Sequence, residues 1–415
     1  MRDSLLAAAL LALMSSVPAR AAESVSTGTI TLNQVLELAE RDNPEILAAR
    51  KRWLAFQKRV TQAATPDKPR LDIERMYVPS DKSVLTEADE KSLAITQEIP
   101  FPTTLYLRRG AAAKEAAMAE QVYRAKVSSV LARARSAYAM LYLAHKSLDI
   151  INENIDLMRR FSKVAESKYT AGHAGQSDAL KAQVELTKML NMGVMLAQDQ
   201  ETAAAMLSAL LNRDAREPLG LPAEPALPKP EQSLESVSAL AMAERPELKE
   251  AVLNVERAGK SLAVARSEYL PDLMLQYRQR DDPMRGRTHD AVLGLSLPLW
   301  FWKPAAMAAE AKAEREMAEA ELEGMRAMTS ADVKSAWVRA QTARRLADIY
   351  RTSVLPQADQ AIRVAEAGYQ ANKTSFLDLL DAQRSLLNFR VEYYQFLADY
   401  EQRSAELERV VGRGL

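Results

Sequence analysis

Two aspartates that lie three residues apart, Asp378 and Asp381, are the side chains of this chain best placed to act as a pair. On a helix that begins near Thr374, both carboxylates would lie on one face. Copies of such a pair around a narrow opening would favour cations and repel anions. The alternative is that Asp378 only complements the positive end of the helix dipole, which explains Asp378 better than Asp381.

The sequence offers little else that could do chemistry. The three histidines, His145, His173 and His289, are far apart along the chain, and there is no zinc-ligand spacing and no glycine-rich phosphate loop. The 17 methionines are scattered, which favours gap filling between helices over binding of soft metal ions. We therefore expect no catalysis, no cofactor and no resident metal.

The elements that position the aspartates occur twice in the same order. Asn43-Pro44-Glu45 recurs as Arg245-Pro246-Glu247, and Ala182-Gln183 recurs as Ala382-Gln383. A repeat of this size is a structural duplication, so each copy should build an equivalent part of one object. We predict a first repeat over residues 23–216, a proline-rich linker over 217–232 and a second repeat over 233–415.

Each repeat contains a helix, two alternating apolar stretches and a long helical hairpin. The strands are predicted at 69–79 and 90–101, then at 271–281 and 290–301; the hairpins are predicted at 103–211 and 304–411. In the first hairpin an apolar stripe with spacings of three and four is typical of a coiled coil, and it contains Leu148, Ile151, Ile155, Met158, Phe161 and Val164. Pro356 should kink the second long helix.

Composition and the first residues predict export. An apolar run from Leu5 to Met14 is followed by Ala19-Arg20-Ala21, which is typical of a secretory signal peptide, here over residues 1–22. With no cysteine, we expect neither disulfides nor a lipid-modified N-terminal cysteine. Lys and Arg together number 55, as do Asp and Glu, so no basic field recruits nucleic acid.

The predicted strands have the length of strands that cross a membrane and are apolar on one face, so we interpret them as hairpins of a membrane β-barrel. Half-buried hairpins of a soluble protein are the alternative. Four strands cannot close a barrel, because about eight is the smallest workable number. The chain would have to oligomerise in order to complete one.

Taken in order and doubled, these motifs resemble the TolC-like outer-membrane efflux ducts, and the resemblance covers essentially the whole predicted mature chain. The residues that carry it are Asn43-Pro44-Glu45, Gln97-Glu98-Ile99-Pro100-Phe101, Tyr169-x-x-Gly172 with Asp178, and Tyr369-x-x-Asn372 with Asp378, Asp381, Ala382 and Gln383. The resemblance implies a mainly α fold with a membrane β-barrel portion, in which three copies of four strands give a barrel of about 12 strands. Long antiparallel hairpins of the homotrimer would form an α-helical barrel across the periplasm.

The resemblance also implies partners and site residues. A periplasmic adaptor protein and an inner-membrane RND-type pump would bind the duct, which sits in outer-membrane lipid and reaches into the periplasm of a Gram-negative bacterium. Asp378 and Asp381 would form two carboxylate rings at a periplasmic gate, with Asp178 and Tyr369 as further gate residues. Some members hold the gate with an arginine at the position that is Thr374 here, so that particular latch is not expected.

The two hairpin turns are the candidate docking site for the adaptor. Small residues there would allow another helical hairpin to approach closely, and Lys168 could supply a charged contact; the small residues are Gly172, Gly175, Asn372 and Ser375. The alternative is that these residues only make the turns.

We therefore expect a passive exit duct for heavy-metal ions or drugs. One alternative is the duct of a type I protein secretion system, and another is a soluble periplasmic coiled-coil protein of structural role.

Overall fold

The computed structural model describes residues 28–76, 78, 90–172, 175–224, 232–282 and 284–414. The predicted signal peptide, His173, residues 225–231 of the predicted linker, and Tyr77 and Pro79 of the first predicted strand lie outside these ranges.

The two repeats contain the same succession of long elements. The first consists of β1 (Thr29–Ile30), α1 (Leu32–Asp42), α2 (Pro44–Ala63), β2 (Arg70–Met76), β3 (Glu90–Ile99), α3 (Pro102–Thr170), α4 (Gln176–Leu210) and β4 (Leu221–Pro222). The second consists of α5 (Leu234–Glu244), α6 (Pro246–Ser267), β5 (Asp272–Asp282), β6 (Gly286–Ser296), α7 (Trp302–Ile349), a π-helical turn (Tyr350–Val354), α8 (Leu355–Gln370) and α9 (Phe376–Val411).

The repeated X-Pro-Glu motif makes a sharp corner between two helices. Asn43 caps α2, since its side-chain oxygen accepts a hydrogen bond of 2.9 Å from the Glu45 N–H, while its amide donates to the Leu210 carbonyl at 2.9 Å. In the second repeat, Gly412 packs on the equivalent corner with φ of 90°. A Cβ at Gly412 would lie 2.7 Å from Cδ of Pro246 and 2.9 Å from Cα of Arg245. Each corner is thus held by the end of its own returning helix.

The four longer strands of the two repeats join in one antiparallel sheet of order β2-β3-β5-β6, while β1 and β4 pair in parallel as a separate two-stranded sheet. The register places Leu71 opposite Ile95 and Ile95 opposite Tyr277. The last strand runs from Gly286 to Ser296, whereas the sequence interpretation placed it at 290–301. It ends there because Pro298 has no N–H to extend the ladder.

The first hairpin begins with one uninterrupted helix, α3, of 69 residues. At about 1.5 Å per residue it is roughly 100 Å long. The predicted seam is present, because Ile151, Ile155 and Met158 are buried in one apolar cluster. The prediction that Val164 continues this seam was wrong, since Val164 is 39% exposed and Ala165 is buried in its place. The stripe drifts because 3.6 residues per turn do not match a strict seven-residue repeat.

The second long helix is interrupted where the sequence predicts a kink. A π-helical turn over Tyr350–Val354 separates α7 from α8, immediately before Pro356. Proline lacks the N–H that a regular helix would bond four residues back, so the ladder is adjusted there. No helix in the described part of the chain is both long and apolar enough to cross a membrane.

The long helices lie side by side as a strip. Next to the sheet, α3 packs against both α2 and α6, and α6 packs against α7. Farther from the sheet, α3 packs against α4 and α9, and α9 packs against α8. Beside the sheet, α2 and α7 are therefore the two edges of the strip, as β2 and β6 are the edges of the sheet.

Candidate functional site

The turn of the second hairpin is tight and closed by backbone hydrogen bonds. Asn372 has φ of 60°, and the N–H of Lys373 donates to the Gly368 carbonyl at 2.7 Å. The side chain of Thr374 packs over Gly368 and donates to the Ala365 carbonyl at 3.2 Å. Thr374, at the position where the resemblance implies an arginine in some members, thus packs and hydrogen-bonds within its own turn.

Ser375 and Asp378 form a reciprocal cap at the start of α9. The Asp378 carboxylate accepts hydrogen bonds from the Ser375 N–H at 3.0 Å and its hydroxyl at 2.8 Å, while the Asp378 N–H donates to Ser375 Oγ at 3.2 Å. These bonds lower the pKa of Asp378, because they stabilise its charged form. The contact supports the capping interpretation of Asp378, although its side chain remains exposed.

Asp381 lies one turn farther along α9 and is also exposed. Arg384 beside it pairs with Glu185 of α4, with 2.9 Å between Arg384 Nε and Glu185 Oε1. This hydrogen bond lowers the pKa of Glu185. The pair joins α4 to α9, and nothing in the sequence indicates it, because the two residues are remote and do not occupy equivalent repeat positions.

Lys168, in the last turn of α3, connects the two hairpin turns within one chain. Its Nζ donates to Asn372 Oδ1 at 2.7 Å and to the Tyr369 carbonyl, and it lies 4.2 Å from the centre of the Tyr369 ring. The structure therefore places Lys168 against the second turn of its own chain. Its charge is matched by a carbonyl, an amide oxygen and an aromatic face.

Tyr369 is buried beside Phe376, with ring centres 5.4 Å apart. Desolvation raises the pKa of its hydroxyl, and the charge of Asp178 raises it further. The hydroxyl has no hydrogen-bond partner among the residues that the structure describes. The structure thus brings two of the predicted gate residues, Tyr369 and Asp178, close to two of the predicted docking residues, Lys168 and Asn372.

The described residues on either side of the first hairpin turn are loosely surrounded. Gly172 has φ of 77°, so it requires the left-handed conformation that glycine adopts without strain. Among the described atoms, a Cβ at Gly172 would meet nothing within 4 Å, and one at Gly175 would meet only Ser177 Oγ at 3.5 Å. The described residues thus leave space beside Gly172 and Gly175.

The two repeated glutamines have different surroundings. Gln383 is fully buried and its amide donates to Asn154 Oδ1 at 3.1 Å, whereas Gln183 is exposed. The duplication therefore places one polar residue in the core and the other on the surface, a difference that the identical motif does not predict.

No cluster of three or more potential metal ligands occurs in the part of the chain that the structure describes. Both ring nitrogens of His145 lie within 3.2 Å of the Gln200 amide nitrogen, and His289 Nδ1 lies 2.7 Å from the Tyr277 hydroxyl.

The two faces of the sheet differ in polarity. One face carries exposed large apolar side chains: Leu71, Ile73, Leu93, Ile95, Leu275, Tyr277, Leu293 and Leu295. The other face carries polar and charged side chains, among them Ser92, Thr96, Gln276, Arg278, and Arg280 with Glu90 at 3.0 Å. An exposed apolar face of this extent indicates contact with lipid or with another protein.

Comparison with known proteins gives one consistent result. A family model described as outer membrane efflux protein matches residues 35–213 and 237–413. The chain is 26% identical over 400 residues to the cobalt-zinc-cadmium resistance protein CzcC of Cupriavidus metallidurans, covering 94% of this chain and 91% of that protein.

Among solved structures, the outer membrane protein VceC of Vibrio cholerae superposes with a TM-score of 0.76 at 18% identity, covering 92% of this chain and 96% of VceC. CusC superposes with a TM-score of 0.79 at 16% identity, covering 92% of each chain. The mainly helical fold with long hairpins, as predicted, is confirmed. Because the family model matches both repeats over most of the sequence, the chain belongs to the outer membrane efflux protein family.

Proposed function

We propose that this chain is the outer-membrane component of a tripartite efflux system and forms a passive exit duct across the periplasm. The observation that carries the proposal is the joining of an exposed apolar sheet face to helical hairpins of about 100 Å, because this combination puts a lipid-facing surface at one end of a long duct. The family membership supports the assignment to efflux.

The working unit in this proposal is a homotrimer. One chain supplies four strands with free edges at β2 and β6, and such edges are not tolerated in lipid. Three copies joined edge to edge would close the sheet as well as the helical strip. Native mass measurement after detergent extraction should give three copies of the chain, and a monodisperse monomer that needs no detergent would instead support a soluble structural protein.

Heavy-metal cations are the proposed substrate class. CzcC, which shares 26% identity with this chain, is named a cobalt-zinc-cadmium resistance protein. The exposed Asp378 and Asp381 carboxylates near the hairpin turn would attract cations to a constriction formed by three copies. Gating by these two residues with Asp178 and Tyr369 is part of the proposal.

The adaptor of an RND-type pump would dock at the hairpin turns. The open space at Gly172 and Gly175 supports this, and so does the exposure of Asn372 and Ser375. Lys168 would contribute indirectly, because its hydrogen bond to Asn372 Oδ1 stabilises the conformation of the second turn.

The test is metal export from cells that depend on this chain. Wild type should lower cellular cobalt, zinc or cadmium, and export only of an organic dye or of a protein would contradict the metal assignment. Gly175→Trp should abolish export and leave the trimer intact, whereas Gly414→Trp, also at a glycine with free space, should export normally. Normal export by both variants would show that the first turn is not a docking surface.

A further inference from the structure

The helical strip of one chain has two free edges beside the sheet. α2 leads into edge strand β2, and α7 leaves edge strand β6. Within its own chain, α2 packs mainly on α3, whereas α7 packs on α6 next to the sheet and on α9 and α5 farther from it. The opposite faces have no partner within the described chain, and their sequences are complementary.

The inner face of α2 carries the buried Ile46 and the half-buried Trp53 and Phe56, and α2 packs on α3. Trp53 stacks on Tyr123 of α3, with ring centres 5.7 Å apart. The opposite face carries Leu47, Lys51, Leu54 and Lys58, which follow one another by four, three and four residues. Leu47 is 54% exposed and Leu54 is 38% exposed. This is the spacing of a coiled-coil seam on a face that solvent covers in the single chain.

The inner face of α7 is buried through Ala311, Ala318 and Thr329. The opposite face carries a second seam with spacings of four, three, four, three and four: Ala309, Ala313, Glu316, Ala320, Glu323 and Ala327. All six are exposed in the single chain. Its small residues leave hollows of the kind that leucine side chains fill in coiled coils.

The two faces carry opposite charge. α2 has five Lys or Arg residues and one acidic residue, Glu45, which is already paired with Lys126 and Arg133 of α3. Lys51 and Lys58 have no ion-pair partner among the described residues. Glu316 and Glu323 reach only exposed cations of their own helix, Lys312 and Arg326, and such pairs are weak.

From these features we infer that α2 of one copy packs antiparallel against α7 of the next copy of this chain, along a seam sorted by charge. The helices run antiparallel because α2 enters the sheet end and α7 leaves it. We assign the register in which Lys58 faces Glu316 and Lys51 faces Glu323, because it is the register that forms two pairs of opposite charge. The two leucines then enter the alanine hollows. Both charged pairs form together because each set is seven residues apart.

The inference rests on the proposed trimer and adds the contacts that set its geometry. An interface between two different faces closes only as a ring, and the opposite charges prevent α2 from pairing with α2 or α7 with α7. Salt should weaken the seam, since its charges lie near the surface.

The test is assembly of full-length chains in detergent at low salt, measured by native mass spectrometry across protein concentration. K51E/K58E and E316K/E323K should each raise the concentration at which trimers form by about tenfold or more, because two attractive pairs become repulsive in each of three seams. The quadruple variant should restore assembly. E314K/E321K, which reverses two charges seven residues apart on another face of α7, is the matched control.

A second measurement does not depend on stability. The chain has no cysteine, so Leu54→Cys combined with Ala320→Cys should give oxidised dimers and trimers on a denaturing gel, and neither single variant should give trimers. Trimers of normal stability in both double reversals, together with no cross-link, would overturn the inference and leave the trimer standing. A monomeric wild type would overturn the proposed trimer itself.

Discussion

Removal of the Lys168 ammonium should loosen the second hairpin turn. In Lys168→Met the apolar stem is kept, while the hydrogen bonds to Asn372 Oδ1 and the Tyr369 carbonyl and the contact with the Tyr369 ring are lost. A hydrogen bond to a charged group contributes about 1.5–3 kcal/mol when buried, and a cation–π contact about 0.5–1 kcal/mol at an exposed site. Because Asn372 is exposed, we discount the sum to about 1–2 kcal/mol.

The assay is amide hydrogen exchange of the trimer, followed in peptides that cover residues 368–376. The turn amides of Asn372 and Lys373 are hydrogen-bonded, so their exchange reports local opening. A loss of 1–2 kcal/mol corresponds to exchange that is about 5–30-fold faster. Lys163→Met, on an exposed face of the same helix, should leave these peptides unchanged.

A double-mutant cycle sharpens the result. Asn372→Gly keeps the left-handed backbone, with φ of 60°, and removes only the side-chain acceptor. Its effect should largely disappear in the Lys168→Met background, because the two residues act through one contact. Additive effects, or unchanged exchange in Lys168→Met, would refute the assignment of Lys168 as the connection between the turns.

Three further predictions concern other parts of the molecule. Ser375→Ala should destabilise the start of α9 by about 1 kcal/mol, measured by hydrogen exchange of the first-turn amides. Because the pKa of Asp378 is lowered on folding, the stabilisation by the cap should be present at neutral pH and be lost as the pH falls through that lowered pKa. The double change of Asp378 and Asp381 to Asn should reduce cation selectivity and relieve block by multivalent cations in planar bilayers, and unchanged selectivity would reject the gate. Gly412→Ala should lower the unfolding free energy by about 1–3 kcal/mol, because it combines positive φ with a clash, whereas Gly414→Ala, which has free space, should match wild type in thermal unfolding.

Much of this architecture could be predicted from the sequence because it depends on periodic patterns. The seam through Ile151, Ile155 and Met158 and the positive φ at Gly172 and Asn372 follow from local spacing and residue type. The end of β6 at Ser296 was missed because the apolar alternation continues past Pro298, although the ladder cannot. Pattern and hydrogen bonding conflict there, and hydrogen bonding determines the boundary.

The site was less predictable because its contacts join the two repeats. Lys168 meets Asn372, Glu185 meets Arg384, and Asn154 meets Gln383, and each pair comes from opposite hairpins. Periodicity shows which face of a helix is buried, but it does not show which residue of another helix lies at the same height. The cap between Ser375 and Asp378 could have been predicted from the sequence, because the spacing of three residues at the start of an apolar helix is a local signal.

The π-helical turn over Tyr350–Val354 changes the phase of the second long helix by one residue. Above it, Ala340, Ala343 and Ala347 are buried at spacings of three and four. Continued without interruption, that spacing would turn Gln357, Ala361 and Gly368 inward, yet the structure buries Ala358, Ile362 and Tyr369, each one position later. The π turn therefore joins two packing registers that both lie against α9: Ala340 is buried in one cluster with Leu407 and Val410 above the turn, and Ala358 is buried in one cluster with Leu386 below it. Deleting one residue there would allow a regular α-helix to continue with Ala358, Ile362 and Tyr369 still on the buried face, because the deletion removes the extra residue that the π turn accommodates.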